Sequence, residues 1–412
     1  MGKQIEMGKF SKLALKNVFR NGRRTTITLL IIVFGAISLF VAHGFIDFSF
    51  QGLRERTIRQ GIGHLQISHH NFNKKTEDHP LQYGITNADS LIRKMLFDND
   101  IRFAMKRIDF QGLISSGEKS AIFMGRGIEP RLEEKLSSLF VRLDSGRLLS
   151  QGKADELQVI VGTGLAKALS APLGEYLTIL SSTTYGVQNA LDVELVGTFT
   201  TGIPEMDDRL IMVTIEAAQF LMDTQSVSKI VVVLNDSEKT QKKFEELRAL
   251  FGDYDVKWWK QLAPYYQAVV NLYTSAFGLL GFIIGFIIIM TVVNTTVMAI
   301  SERTSEIATL LAIGASQTQI LRNFLYESLI ISLLASVSAM TLAFIIIMII
   351  NASGFIMPPP PGSTAGYPLY INILPDKWAW ICLSMTALSI LASIIPAYKA
   401  SRLNIVKGLG HI

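Results

Sequence analysis

The chain has one cysteine in 412 residues, Cys382, so no disulfide framework can exist within it. It has no Gly-x-x-x-x-Gly-Lys-Ser/Thr phosphate loop, no His-Glu-x-x-His helix and no Gly-x-Ser-x-Gly elbow. The sequence signs of an ATPase, a zinc hydrolase and a serine hydrolase are therefore missing. The nearest approach to a phosphate loop, Gly162-Thr-Gly-Leu-Ala-Lys167, lacks the spacing that lets amides wrap a phosphate and reads as a strand-to-helix turn. The most informative absence is of charge. Residues 25–46, 261–301, 328–375 and 378–398 contain no Asp, Glu, Lys or Arg, and each block meets or exceeds the roughly 20 residues needed to cross a bilayer. That excludes a soluble enzyme, a fibrous protein and a disordered one. Within the blocks only His43 is ionisable in the physiological range. Ion-coupled transporters carry ionisable groups at mid-membrane, so any work done here is powered from elsewhere.

The first block runs apolar to Ile46, too long for a signal-peptide core and without a small-residue cleavage site; it reads as a retained membrane helix. Seven basic residues precede it (Lys3, Lys9, Lys12, Lys16, Arg20, Arg23, Arg24) against one acid, Glu6. The positive-inside rule then puts the N-terminus in the cytoplasm. Crossing parity sets the rest: a cytoplasmic segment at 1–24, spans at 25–47, 264–301, 325–351 and 377–398, an outside domain at 48–260, a cytoplasmic segment at 302–324, a Pro-rich outside loop at 352–376 and a cytoplasmic tail at 399–412. Trp258, Trp259, Trp378 and Trp380 fall where an outer aromatic belt would sit; for Trp258 and Trp259 a place in the core of the outside domain is an equal alternative. The second block is twice as long as the membrane requires, since its 41 residues would make a helix of about 60 Å. Pro264 marks its start, and the surplus forms a stalk.

The outside domain reads as mixed α and β. Strands are expected at 64–68, 120–124, 157–161, 176–180, 192–199, 209–213 and 229–234, with a helix over 237–251 capped by Asp236 and another beginning at Thr214. The fold class is thus an α-helical membrane domain of four transmembrane helices with a large α+β extracytoplasmic domain. His64, His69, His70 and His79 gather near Glu77 and Asp78. Adjacent His69 and His70 point to opposite faces of an extended segment, so a solvated loop is the better reading than a metal site.

Between the second and third spans, Ile307, Leu310 and Leu311 share one face of a short helix that Gly314 ends, and Ser316 with Gln319 forms a capping box for the next. That amphipathic helix, with Glu302, Arg303 and Glu306 beside its apolar face, suits either the bilayer surface or a cytoplasmic partner.

Here the sequence resembles a known family. Glu302-Arg303-x-x-Glu306-Ile307 followed by Ala312-Ile-Gly-Ala-Ser316 is similar to the coupling region of FtsX-like permeases, membrane subunits of ATP-driven transporters of the lipoprotein-releasing and macrolide-exporter type. Leu13-Ala-Leu-Lys-Asn-Val-Phe-Arg-Asn-Gly-Arg-Arg-Thr resembles their amphipathic elbow helix, and Pro396-Ala-Tyr-Lys-Ala-Ser-Arg402-Leu their C-terminal signature, with Ile405 where the family has Pro and Gly408 where it has Ala. The resemblance covers essentially the whole chain. It implies mechanotransmission: an ATPase dimer in the cytoplasm binds ATP and Mg, closes, and moves two permease chains, this one and an identical or paralogous second, to extract or export a hydrophobic or lipidated substrate from the outer face of the bacterial inner membrane. Glu302, Arg303, Glu306, Ile307, Leu310, Leu311 and Gly314 would couple to the ATPase. This chain would itself hold no cofactor and no metal, catalyse nothing and bind no nucleic acid; a periplasmic adaptor, a lipoprotein substrate and membrane lipid would be its other partners. The alternative function is a signalling scaffold that activates a periplasmic cell-wall hydrolase.

Overall fold

A backbone in hydrocarbon must satisfy its own hydrogen bonds, and each charge-free block contributes most or all of its length to one long helix, the third only as far as Ala352. The computed structural model describes residue 20 and residues 22–70, 83–137, 141–149, 157–358 and 366–406. Four of its helices, Gly22–Thr57, Pro264–Glu302, Gln317–Ala352 and Pro375–Ser401, are long and apolar enough to cross a membrane. The chain divides into two compact units, one of residues 1–50, 270–356 and 368–412, the other of residues 51–269 and 357–367.

The first unit is a helical bundle built on close approach. In the third helix Ala335, Ala339, Ala343 and Ile347 recur every four residues and are fully buried, and Ser389, Ser393 and Ala397 do the same for the fourth. Small residues let helix backbones come together where lipid supplies no hydrophobic drive. Phe40 of the first helix stacks on Trp378 of the fourth at 4.8 Å. Trp378 is only 4% exposed, so it packs within the bundle rather than lying free on its surface. Trp380 is 70% exposed. A Cβ on Gly44 would lie 2.3 Å from the Asn372 carbonyl. Asn372 donates its N–H to the Gly44 carbonyl at 3.2 Å and its side-chain amide to Asp47 at 2.8 Å, so the glycine permits a tether between the first helix and the strand of chain leading into the fourth.

The second unit is α/β. Its ten strands are β1 Leu65–His69, β2 Ile101–Ser115, β3 Ser120–Ile128, β4 Arg142–Gly146, β5 Gln158–Gly162, β6 Tyr176–Ser182, β7 Gln188–Thr200, β8 Leu210–Thr214, β9 Lys229–Leu234 and β10 Tyr254–Trp258. They run in the order β10-β1-β9-β2-β3-β8-β5-β7-β4, with β6 pairing both β2 and β7. The β3–β8 and β5–β7 pairs are parallel and the others antiparallel. β5, β8 and β9 lie inside the sheet, and apart from Gln158, Thr214 and Lys229 at their ends they are apolar and buried, as strands covered on both faces must be. Thr214 caps the helix Ile215–Met222 by accepting from the Ala217 N–H. Asp236 caps a single 3-10 turn, Ser237–Lys239, and the α-helix proper is Thr240–Leu250. Trp259 packs edge-on against Tyr266 at 4.7 Å and is 4% exposed, so it belongs to this core.

Candidate functional site

The segment joining the second and third membrane helices turns sharply. The helix Thr304–Ala312 ends at Gly314, whose φ of +103° is the left-handed conformation glycine adopts freely; Gly314 donates to the Leu311 carbonyl at 3.1 Å and Ala315 to that of Leu310 at 3.0 Å. Ser316 and Gln319 form the capping box, with Gln319 N–H on Ser316 Oγ at 3.3 Å and Ser316 N–H on Gln319 Oε1 at 2.9 Å. Nothing interrupts the helix thus started until Ala352. Residues 317–324, placed by sequence in the coupling segment, are the first turns of the third membrane helix.

The expected common face of Ile307, Leu310 and Leu311 is divided. Ile307, 4% exposed, packs with Ala299, Ile320, Phe324 and Ala397, and Leu311 joins them from the edge of that cluster. Leu310 and Ile313 turn outward, 44% and 79% exposed. At 3.6 residues per turn Leu311, four residues on from Ile307, lies closer to its direction than Leu310, three residues on. Arg303 is buried too, donating to Glu327 Oε1 at 2.9 Å while Asn323 donates to the same oxygen at 3.2 Å. Arg303 is thus a latch between the segment and the third helix, not an outward contact. Glu302 accepts from Arg24 at 2.8 Å and Glu306 pairs with Arg20, which ties the segment to the residues that open the first helix. The half-exposed Arg20–Glu306 pair is screened by solvent and holds the segment weakly; the Arg303–Glu327 pair, at 7% and 11% exposure, could not lose one partner without stranding a charge.

Two polar clusters in the α/β unit were not legible as such. In the first, buried His64 donates from Nε2 to Ser237 Oγ at 2.9 Å and accepts the Leu234 N–H at Nδ1 at 3.2 Å, while Ser237 donates to Glu55 at 2.6 Å. Burial pushes the His64 pKa from 6.5 down to about 4. The proton order is the reverse of a nucleophilic Ser–His pair, in which the imidazole must accept from the hydroxyl. Here the imidazole donates and the hydroxyl proton is already given to Glu55, so the trio is a structural relay. In the second cluster, Arg107, 1% exposed, donates to Glu133 and to the Gly61 carbonyl of the turn Ile58–Ile62. Lys229 pairs with Asp109, and Arg126 lies 3.9 Å from the same carboxylate. Burial opposes ionisation of Asp109, but Lys229, Arg126 and Arg107 outweigh it and hold the carboxyl below its ordinary range. A Cβ on Gly61, whose φ is +118°, would meet Arg126 at 2.7 Å.

Of the histidine group, His69 rests against Tyr83 with ring centres 5.5 Å apart and His70 donates to the Gly252 carbonyl at 3.1 Å; His79, Glu77 and Asp78 lie outside the described residues, as do the elbow segment before Arg20 and the tail from Lys407. Among the described residues no three His, Cys, Asp or Glu side chains converge as metal ligands would.

Two family models match this chain, one after the other. The family described as "MacB-like periplasmic core domain" matches residues 25–250, more than half of the chain, and that described as "FtsX-like permease C-terminal" matches residues 278–405. The lipoprotein-releasing system transmembrane protein LolC of Xylella fastidiosa is 26% identical over 335 residues, 76% of this chain and 79% of that protein. The macrolide export ATP-binding/permease protein MacB of Wolinella succinogenes is 23% identical over 423 residues, 98% of this chain and 61% of that protein. Among solved structures, the periplasmic region of MacB from Actinobacillus actinomycetemcomitans aligns with 51% of this chain and 95% of its own length, at 15% identity and a TM-score of 0.36.

Proposed function

Because the chain belongs to the FtsX-like family of ATP-binding-cassette transporter permeases, we propose that it is a mechanotransmitting membrane subunit that moves a hydrophobic or lipidated cargo from the outer face of the inner membrane. A separate cytoplasmic ATPase dimer binds ATP and Mg and docks on the segment between the second and third helices. A second permease chain, the same or a paralogue, completes the complex. The names of its relatives, lipoprotein-releasing and macrolide-exporting, support the class of cargo. The N- and C-termini lie in the cytoplasm, in keeping with the basic residues that precede the first span. The second helix, 39 residues and about 58 Å long, serves as the rod.

The observation that carries this reading is the two-sidedness of the helix Thr304–Ala312. Leu310 and Ile313 face outward as an apolar knob, whereas Ile307 and the Arg303–Glu327 pair fasten the same helix to its own bundle. A push on the knob therefore reaches the third helix without a slack joint. Leu310→Asp tests it. Leu310 is 44% exposed, so the substitution costs the permease little by itself. In a partner's pocket an uncompensated carboxylate would cost several kcal/mol, on the order of a thousandfold in affinity. Co-purification of the ATPase at equal membrane abundance should fail; undiminished recovery with normal coupled ATP turnover would refute this docking element.

A further inference from the structure

Between the first and second membrane helices, at the end of the bundle that carries Arg20, Arg23 and Arg24, lies a groove of about 1240 Å³, larger than the roughly 300–1,000 Å³ that suits a drug-sized ligand. Its wall changes character along the helices. Farthest from the arginines, Ile31 and Met290 give an apolar lining. Nearer to them come Ile27, Thr28, Asn294, Thr295 and Met298, with the two threonine hydroxyls 2.7 Å apart across the floor. Arginines close the end.

The cations at that end are not all neutralised. Arg20 pairs with Glu306, Arg24 with Glu302 and Arg303 with Glu327. Arg23, exposed on the groove, has no ion pair among the described residues. Arg24 spends Nη1 on Glu302, but its Nε is buried without an acceptor, and a buried donor left unpaired is unfavourable. Apolar, then hydroxyl and amide, then cationic is the order of an acyl chain, its glycerol esters and a phosphate.

We propose that this groove is a binding site for an anionic phospholipid of the bilayer, with its phosphate between Arg23 and Arg24 Nε and one acyl chain along Ile27, Ile31 and Met290. The lipid supplies the acceptor Arg24 lacks and the counter-charge Arg23 lacks. Because Glu302 and Arg303 line the same groove, the lipid abuts the segment that leads into the helix Thr304–Ala312, and its presence would bear on the set of that segment. The inference requires that the chain span a membrane and nothing about its cargo or ATPase.

The full chain is reconstituted in phosphatidylethanolamine vesicles carrying a trace of phosphatidylglycerol with a photoactivatable acyl chain, or of phosphatidylcholine with the same chain, and the labelled peptides are mapped. Phosphatidylglycerol should label the peptides holding Ile27–Ile31 and Met290–Met298 about fivefold more than phosphatidylcholine does. Arg23→Gln, at an exposed position that folding does not need, should remove that preference, since one arginine near an anionic headgroup is worth about 1 kcal/mol, the same fivefold. Asn294→Trp, which fills the groove from an exposed position, should suppress labelling of these peptides by both lipids. Equal labelling by the two lipids, or a preference indifferent to Arg23→Gln, would overturn the proposal. So would efficient disulfide capture of a second copy through Thr291→Cys in a Cys382→Ser background, because the groove would then hold protein.

Discussion

Replacing Glu133 by leucine should be among the most damaging single changes available in the α/β unit. Glu133 is 5% and Arg107 1% exposed at the side chain, so the leucine leaves a guanidinium buried with only the Gly61 carbonyl to receive it. Stranding one partner of a buried pair costs about 3–5 kcal/mol. The surroundings make this worse, since Arg126 and Lys229 are close and Asp109 is the one carboxylate left among three cations. Arg107→Met alone strands the glutamate instead and also orphans the Gly61 carbonyl, again about 3–5 kcal/mol. The double variant removes both charges. What it should still lose is the Gly61 acceptor, about 1–3 kcal/mol, while Asp109 keeps Lys229 and Arg126. The double variant should therefore be no worse than either single one, and the cycle should show a coupling of about 3 kcal/mol or more. Urea unfolding of residues 51–269 gives the comparison directly: with a slope of about 3 kcal/mol per M, the upper value that suits a unit of this size, Glu133→Leu should move the midpoint down by roughly 1–2 M. A loss under about 1 kcal/mol for the single variant, or a double variant that costs the sum of the two, would refute the reasoning that this charge pair is desolvated.

The relay of His64, Ser237 and Glu55 should make the α/β unit lose stability as pH falls. His64 stays neutral in the folded state down to about pH 4 but takes a proton at about 6.5 when unfolded, so its contribution is intact above pH 6.5 and drains away between there and pH 4, roughly 3 kcal/mol in all; His64→Gln should flatten that stretch of the stability curve, and an unchanged slope would exclude His64 as its source. Residues 51–269 expressed alone should fold and show the same melting temperature with and without reductant, because the single cysteine, Cys382, lies outside them; aggregation of every version, or a melting temperature that moves with reductant, would count against an independent unit.

What could be read from the sequence was what depends on composition over a distance of one helix or one cap. Charge-free blocks announce the four long helices, and Ser316 with Gln319, Gly314 and Thr214 announce their own local geometry. The long strand β2 escaped because Lys106, Arg107 and Asp109 interrupt any apolar alternation; only the partners Asp89, Glu133 and Lys229, up to about 120 residues away, make those charges tolerable inside a sheet. β10 escaped for a simpler reason, being five residues at a sheet edge with Asp255 and Lys257 turned to solvent. The coupling residues were found as a group but not sorted. A period of 3.6 tells which side chains are neighbours, yet it does not tell whether their face meets the same chain or another, and Ile307 and Leu310 differ in just that respect. Nor can spacing reveal that Glu302 and Glu306 answer to Arg24 and Arg20, some 280 positions earlier.

The alanine ladder of the third helix bears on how such a chain can change over generations. Ala335, Ala339 and Ala343 are fully buried, and forcing another carbon into a close-packed interface costs about 1–3 kcal/mol. Leu279, Phe282 and Phe286 of the second helix are more than half exposed and are answerable only to being apolar. Inherited substitutions should then accumulate along one helix and be purged from the other, so that a pair of diverged copies could come to differ in every outward residue of the second helix while their third helices remained interchangeable.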